Sequence, residues 1–291
     1  MRTTNRSNLP EAFLRFDEKN QHSREGSDFS ATELIDSPRI AKLRQQYEDQ
    51  IEEDISDRIM SILGTAVHVV LEQGAPEHCK VEERLHMNVN GVEISGQIDL
   101  QTPVNGGVLL SDYKTCGAFA IQFNPHGKPE WIRQLIVYAA LAENNGRIVT
   151  GLEVIAIVRD WNATSAERVE SYPDHPIVRV PIKLWNAQER DAYILDRIDA
   201  HTSEELPECT YEERWARPTQ YAVHEFTKSG TTKKRATRLL DSMVSANEYI
   251  MNKNIRGEIH VRPGKNVRCE SYCPVSNHCN QWKEIQEKDN E

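Results

Sequence analysis

Residues 108–115 read VLLSDYKT, an apolar run that ends in Asp112-Tyr113-Lys114. Side chains alternate along a strand, so Asp112 and Lys114 share one face and Tyr113 takes the other. A carboxylate and an ammonium at the end of a buried strand are costly to desolvate unless something uses them. One use is metal-dependent hydrolysis. The carboxylate holds a divalent cation, the cation acidifies a water, and the lysine orients that water or steadies developing negative charge. The competing reading is a surface salt bridge or a solvated strand end, where most Asp-x-Lys pairs are found.

The neighbouring segments bear on that choice. GVEISGQIDL (91–100) alternates like a strand and ends near Asp99, and PVNGG (103–107) reads as a turn into VLLSDYKT. Two strands joined by a short turn bring their polar ends together. Asp99 and Asp112 then form a carboxylate pair able to bridge a hard cation such as Mg²⁺ or Mn²⁺. The alternative is that Asp99 merely opens a turn.

Two helices are expected to frame this hairpin. In ISDRIMSILGTAVHVVLEQG (55–74), Ile59, Ile62, Leu63, Ala66, Val67 and Val70 form one broad apolar stripe, with Gly74 as a stop. His68 and Glu72 lie one turn apart on a common face. In PEWIRQLIVYAALAENNG (129–146), Trp131, Leu135, Tyr138 and Leu141 recur at helical spacing, and Gln134 and Tyr138 are i,i+4 neighbours. Singly, His68 reads as a core histidine and the Gln134–Tyr138 pair as solvated.

Taken in order, Gly64 to His68, Gly96 to Asp99, Asp112 to Lys114 and Gln134 to Tyr138 spell GxxxH, GxxD, DxK and QxxxY. That succession resembles the RecB-like branch of the PD-(D/E)XK nuclease superfamily over roughly residues 60–140. The resemblance implies an α/β, restriction-endonuclease-like core: a mixed central β-sheet flanked by helices, with Mg²⁺ or Mn²⁺ at its centre. It also implies that Asp99, Asp112, His68 and the main-chain carbonyl of Tyr113 ligate the metal. Lys114 then matches the catalytic lysine, and Gln134 and Tyr138 match helix residues that shape the site.

The six cysteines are a second signal. MRTTNRSNLPEAF carries no apolar leader and no window approaches a membrane span, so a reducing cytoplasm is expected, where thiols serve as ligands more readily than as disulfides. Cys269, Cys273 and Cys279 lie in RCESYCPVSNHC, and Cys209 in LPECTYEERW is the expected fourth ligand, with His278 a local alternative. Cys79 and Cys116 sit nearer the hairpin. The tail resembles the iron–sulfur staple of AddB-type and CRISPR-associated RecB-like nucleases, although there a first cysteine precedes the core and this chain has Ser37 in the matching stretch. The resemblance favours a 4Fe–4S cluster, and Zn²⁺ accepts the same four thiolates. Together with the nuclease motifs, the tail looks like RecB-like nucleases encoded by phages, which implies the cytoplasm of an infected bacterial host.

A formal net charge of −10 excludes a broadly basic duplex binder. Local cations remain: Lys228, Lys233, Lys234, Arg235 and Arg238 in KSGTTKKRATR are candidates for phosphate contact, or else begin a solvated helix. The acidic run QQYEDQIEEDISD (45–57) reads as a solvated helix face or a partner surface. The expected organisation is a flexible segment 1–27, a nuclease core 28–203 and a cysteine-rich metal-binding subdomain 204–291. SDFSATEL supplies a capping box, Ser30 with Glu33. Strands are expected at 151–161 and, as an edge, at 176–182, and helices at 184–201 and around 245–253. No phosphate-binding glycine loop is present, so any motor is a separate helicase or a recombination or replication partner. The function this implies is metal-dependent hydrolysis of DNA, by an exonuclease on single strands or duplex ends. The alternative is a catalytically silent nucleic-acid-binding or assembly protein that keeps the fold.

Overall fold

The computed structural model describes residues 2–19 and 24–289. The chain divides into two compact units, residues 1–207 and residues 208–291. The first begins with β1 (Arg2–Thr4) and α1 (Glu11–Lys19), both within the segment expected to be loosely ordered, the rest of which includes residues 1 and 20–23, outside the described residues. β1 pairs in parallel with β3 (Glu52–Asp54). Asp54 ties this end down: one carboxylate oxygen accepts from Thr4 Oγ1 at 2.8 Å and the Arg6 amide at 2.7 Å, the other from Ser56. After Gln45 and Gln46, which end a helix, the acidic stretch 45–57 is a strand between two short 3₁₀ turns and not a helix face.

Between these lie β2 (Phe29–Ser30), α2 (Ala31–Ile35) and α3 (Pro38–Gln46). The capping box of Ser30 and Glu33 starts α2. Buried Ser37 caps α3, its hydroxyl accepting from the Ile40 amide, with Pro38 pre-set in the first turn.

The core sheet follows from α4 (Ile59–Gln73) and three long strands, β4 (Lys80–Val89), β5 (Val92–Val104) and β6 (Gly107–Cys116). β4 and β5 are joined by Asn90-Gly91, both at positive φ (52° and 90°), the two-residue turn that matches strand twist. β5 and β6 pair antiparallel from Val104–Gly107 up to Leu100–Ser111, where the pairing ends. Beyond that point β6 continues alongside β7 (Val149–Val158) in parallel, while β5 runs on with β4 and meets β2 at Ile94 and Ser95. The sheet thus forks just past Leu100 and Ser111. The order is β2-β5-β6-β7-β8, with β4 also on β5 and β8 (Ile177–Ile182, containing Pro181) at the edge.

Four further helices belong to this unit: α5 (Ala118–Phe123), α6 (Pro129–Asn144), α7 (Ala163–Arg168) and α8 (Ala187–Thr202). α6 is the central one. Leu135, Ile136, Val137, Tyr138, Ala139, Leu141 and Ala142 are all buried, packed against β4 to β7, α2 and α8. α4 behaves differently. No residue of it is fully buried, and Met60, Leu63 and Val70 are 55%, 42% and 67% exposed. The apolar stripe that predicts the helix does not become a core face.

The second unit has β9 (Ala216–Arg217) paired with β13 (Lys265–Asn266), and a three-stranded antiparallel sheet of β11 (Arg238–Leu240), β10 (Gln220–Glu225) and β12 (Gly257–Arg262). α9 (Met243–Asn252) packs on that sheet, and α10 (Val267–Ser271) and α11 (Asn280–Asp289) carry the tail. Residues 228–237, read as a possible helix start, form the connection between β10 and β11.

Candidate active site

The fork in the sheet determines which backbone groups are left over. Once β5 and β6 separate, the Tyr113 amide and carbonyl have no strand partner on the β5 side. The Asp99 carboxylate accepts the Tyr113 amide at 2.7 Å, and the Tyr113 carbonyl lies 3.2 Å from His68 Nε2. Buried main-chain groups need such partners. Residues 110, 112 and 114 point to one face of β6, and 111, 113 and 115 to the other. α6 lies over the first face, where Lys114 Nζ meets Gln134 Oε1 at 2.9 Å. α4 crosses near the second: a Cβ at Gly64 would sit 3.7 Å from Thr115 Oγ1.

The motif residues converge at this fork. His68 Nδ1 is 3.5 Å from Asp99 and 3.4 Å from Glu82 Oε1. His68, Glu82 and Asp99 each offer a donor atom within 4.8 Å of the others. Lys114 Nζ stands 2.7 Å from Asp112 Oδ2, and Gln134 Nε2 donates to Tyr138 Oη at 2.8 Å. Gly96, opening the GxxD motif, has a packing reason. A Cβ there would lie 2.6 Å from Leu141 Cδ1 and 2.9 Å from Tyr138 Cε1, so its absence lets α6 approach β5.

Glu82 is the member that sequence reasoning missed. It lies on β4 opposite Asp99, its Oε2 accepts from Gln97 at 2.9 Å, and Arg84 in turn holds Gln97. Its φ is 48°, in the left-handed region that a non-glycine residue adopts only when its surroundings hold it there. The signal lay in VEER (81–84), whose side chains break strict alternation, and the Asn90-Gly91 turn that would have set its register was overlooked.

Electrostatics follow from burial of like charges. Burial first, and the Asp112 charge second, push the Asp99 carboxyl up to about 7. The Glu82 hydrogen bond, together with Asp99 and Asp112, raises the His68 pKa against the pull of burial. Burial opposes the Lys114 charge, yet Asp112 and Asp99 outweigh it and hold the ammonium above the ordinary lysine value. Asp112 is 1% exposed and its Oδ1 has no hydrogen-bond donor among the described residues. A fully buried carboxylate oxygen without a donor is what a cation would satisfy. One imidazole, carboxylate oxygens and a main-chain carbonyl form a set suited to Mg²⁺ or Mn²⁺.

A family model, the PD-(D/E)XK nuclease superfamily, matches residues 41–280 of this chain. The chain belongs to the PD-(D/E)XK nuclease superfamily. Its mixed sheet flanked by helices is the core expected from the resemblance, and nucleases of this superfamily typically use Mg²⁺ or Mn²⁺. Similar solved structures include the crystal structure of SSO0001, at 20% identity and a TM-score of 0.47, covering 66% of this chain and 86% of that one. Another is a phage related exonuclease from Haemophilus somnus 129PT, at 16% identity and a TM-score of 0.27, covering 66% and 78%. A comparison with curated proteins finds no match. Among the described residues of this PD-(D/E)XK chain, no helix is long and apolar enough to cross a membrane.

In the second unit, Cys209 and Cys279 are buried and Cys269 and Cys273 half-buried. Burial first, then the Cys273, Cys209 and Cys279 thiols, push Cys269 up to about 11. Gln281 clamps Cys209 to the start of α11 by two hydrogen bonds of 2.9 Å to its amide and carbonyl. Cys79 and Cys116 belong to the first unit, Cys79 on the loop before β4 and Cys116 at the end of β6. Of the expected phosphate contacts, Lys234, Arg235 and Arg238 line one open groove together with Arg262 from β12. Lys233 instead pairs with Glu225 at 2.5 Å, and Lys228 lies in the turn ahead of it.

Proposed function

We propose that the protein is a metal-dependent deoxyribonuclease of the RecB-like type, an exonuclease that hydrolyses phosphodiester bonds on single strands or DNA ends. The observation that carries the reading is the convergence of His68, Glu82, Asp99, Asp112 and Lys114 at one fork of the sheet. His68, Asp99, Asp112 and the Tyr113 carbonyl would hold Mg²⁺ or Mn²⁺, with Glu82 either a further ligand or the group that orients His68. The bound cation would acidify a water and neutralise charge on the scissile phosphate.

The chain's own residues supply the rest. Lys114, held protonated by Asp112 and Asp99, is suited to stabilising a developing phosphorane charge and unsuited to accepting a proton. Gln134 fixes the direction of the ammonium and Tyr138 fixes Gln134. Retention of Asp99, Asp112 and Lys114 weighs against a catalytically silent protein. In the second unit, Cys209, Cys269, Cys273 and Cys279 would hold a 4Fe–4S cluster, or Zn²⁺ in its place. Lys234, Arg235 and Arg238 would contact phosphates. A phage setting with a separate helicase or recombination partner completes this reading.

The test is cleavage of end-labelled single-stranded and duplex DNA with Mg²⁺ or Mn²⁺. Asp112→Ala and Lys114→Ala should each lose roughly a hundredfold to a thousandfold or more while keeping the wild-type melting temperature within a few degrees. A wild-type protein inert with both metals overturns the enzyme; near-normal turnover by either variant overturns the assigned site.

A further inference from the structure

α5 leaves the catalytic strand almost at once: β6 ends at Cys116 and α5 begins at Ala118, with Asp160 accepting the Ala118 amide at 2.7 Å. The inner side of this short helix is made of Ala118, Ala120 and Ile121, all buried. Its outer side presents Phe119 and Phe123, each 66% exposed, with ring centroids 4.1 Å apart and planes at 31°. Two phenylalanines one turn apart, facing water, expose apolar area that a folded chain ordinarily buries. The two rings are in contact and tilted against one another.

The charges on the segments that flank this helix are of both signs. The Arg159 amide donates to the Cys116 carbonyl at 2.9 Å, so Arg159 and the capping Asp160 sit at the strand end from which α5 leaves. Lys128 follows α5 through the turn closed by the Gly127 amide on the Asn124 carbonyl, and it lies over the Trp131 ring and 3.5 Å from Glu130. Exposed aromatic rings with a cation on each flanking segment, a few residues from Lys114, are the elements of a single-strand track: bases stack on rings while phosphates follow the positive groups. Interior duplex bases already have both faces stacked and a blunt end frees one face alone, so a single strand, with every base free, uses such a platform best.

We propose that Phe119 and Phe123 form a base-stacking platform that seats single-stranded nucleic acid, with Lys128 and Arg159 on its phosphates, next to the Asp112–Lys114 site. The proposal rests on the nuclease reading above and names the strand form that the site accepts. A splayed base adds to the two rings as a third layer. An apolar protein partner is the competing occupant of the same surface.

The experiment measures binding of fluorescein-labelled oligo(dT), of the same strand carrying abasic sites, and of a blunt hairpin duplex, in Ca²⁺ by anisotropy. Phe119→Ala/Phe123→Ala should weaken oligo(dT) about tenfold or more. It should leave the duplex, the melting temperature and Mn²⁺-dependent hydrolysis of bis(p-nitrophenyl) phosphate unchanged. Abasic DNA should bind the wild type as weakly as oligo(dT) binds the double variant, and Phe119→Trp/Phe123→Trp should restore tight binding. Equal oligo(dT) affinity in wild type and double variant, or abasic DNA bound as tightly as oligo(dT), overturns the platform while leaving the nuclease standing. A wild type that neither binds nor cleaves any of these strands overturns both.

Discussion

Asp99 is the residue whose ionisation the fold changes most usefully. Its folded pKa of about 7 lies above the ordinary carboxylate value near 4, so the fold favours the protonated acid. The sign is therefore opposite to that of a salt-bridged aspartate: the contribution to stability is present below about pH 4 and is lost as pH rises through 7. Chelator-treated protein should melt at lower temperature at pH 8 than at pH 5.5. Mg²⁺ must displace that proton, so its apparent affinity should fall about tenfold per pH unit below 7, more steeply if His68 is also protonated. Calorimetric titration between pH 5.5 and 8 checks this, and a pH-independent affinity would rule it out. That Asp99, Asp112, Lys114 and His68 come together was legible in the sequence because their spacing from glycines and from each other is a pattern. Glu82 was not, because its position depends on a left-handed backbone opposite Asp99, which no local pattern announces.

Among the elements, α6 carries the clearest link between packing and chemistry. Its burial against four strands holds Gln134 and Tyr138 beneath Lys114, and the close approach is possible because residue 96 has no side chain. Gly96→Ala places a methyl 2.6 Å from Leu141 and 2.9 Å from Tyr138, both side-chain atoms that must shift. The expected cost is about 1–3 kcal/mol, read as a lower denaturation midpoint, with kcat falling as the Tyr138–Gln134–Lys114 chain is displaced. Unchanged stability and kcat would remove that role from Gly96. The strands at 151–161 and 176–182 and the helices at 129–146 and 184–201 were legible because apolar period and length agree. The acidic run at 45–57 and the basic run at 228–238 misled, since charge reports solvation and says little about whether a chain is helix, strand or turn. α4 is different: its stripe of Ile and Val predicts a helix, which the structure has, and none of its residues is fully buried.

The whole chain is acidic at −10, so attraction to a polyanion has to come from local cations and from bound metal, and binding should weaken as salt rises. Its second unit is only residues 208–291, a size at which a metal centre adds materially to a small core. If the four cysteines hold the proposed centre, Cys209→Ser should lose its iron or zinc and lower the thermal stability of this unit; a full metal complement in that variant would move the fourth ligand elsewhere, His278 first. In the larger unit the fork has a mechanical meaning. β2, β4 and β5 form one half of the sheet and β6, β7 and β8 the other, and past Leu100 and Ser111 the register that joins them has ended. Asp99 and Asp112 sit on opposite prongs, so a cation shared between them would rivet the halves together where the backbone ladder has ended and the Tyr113 amide on the Asp99 carboxylate is the contact that crosses. Deuterium uptake should then slow on Mg²⁺ addition at the amides of 97–99 and 112–114 and stay constant along Leu100–Val104, a footprint two prongs wide that reads occupancy without any substrate.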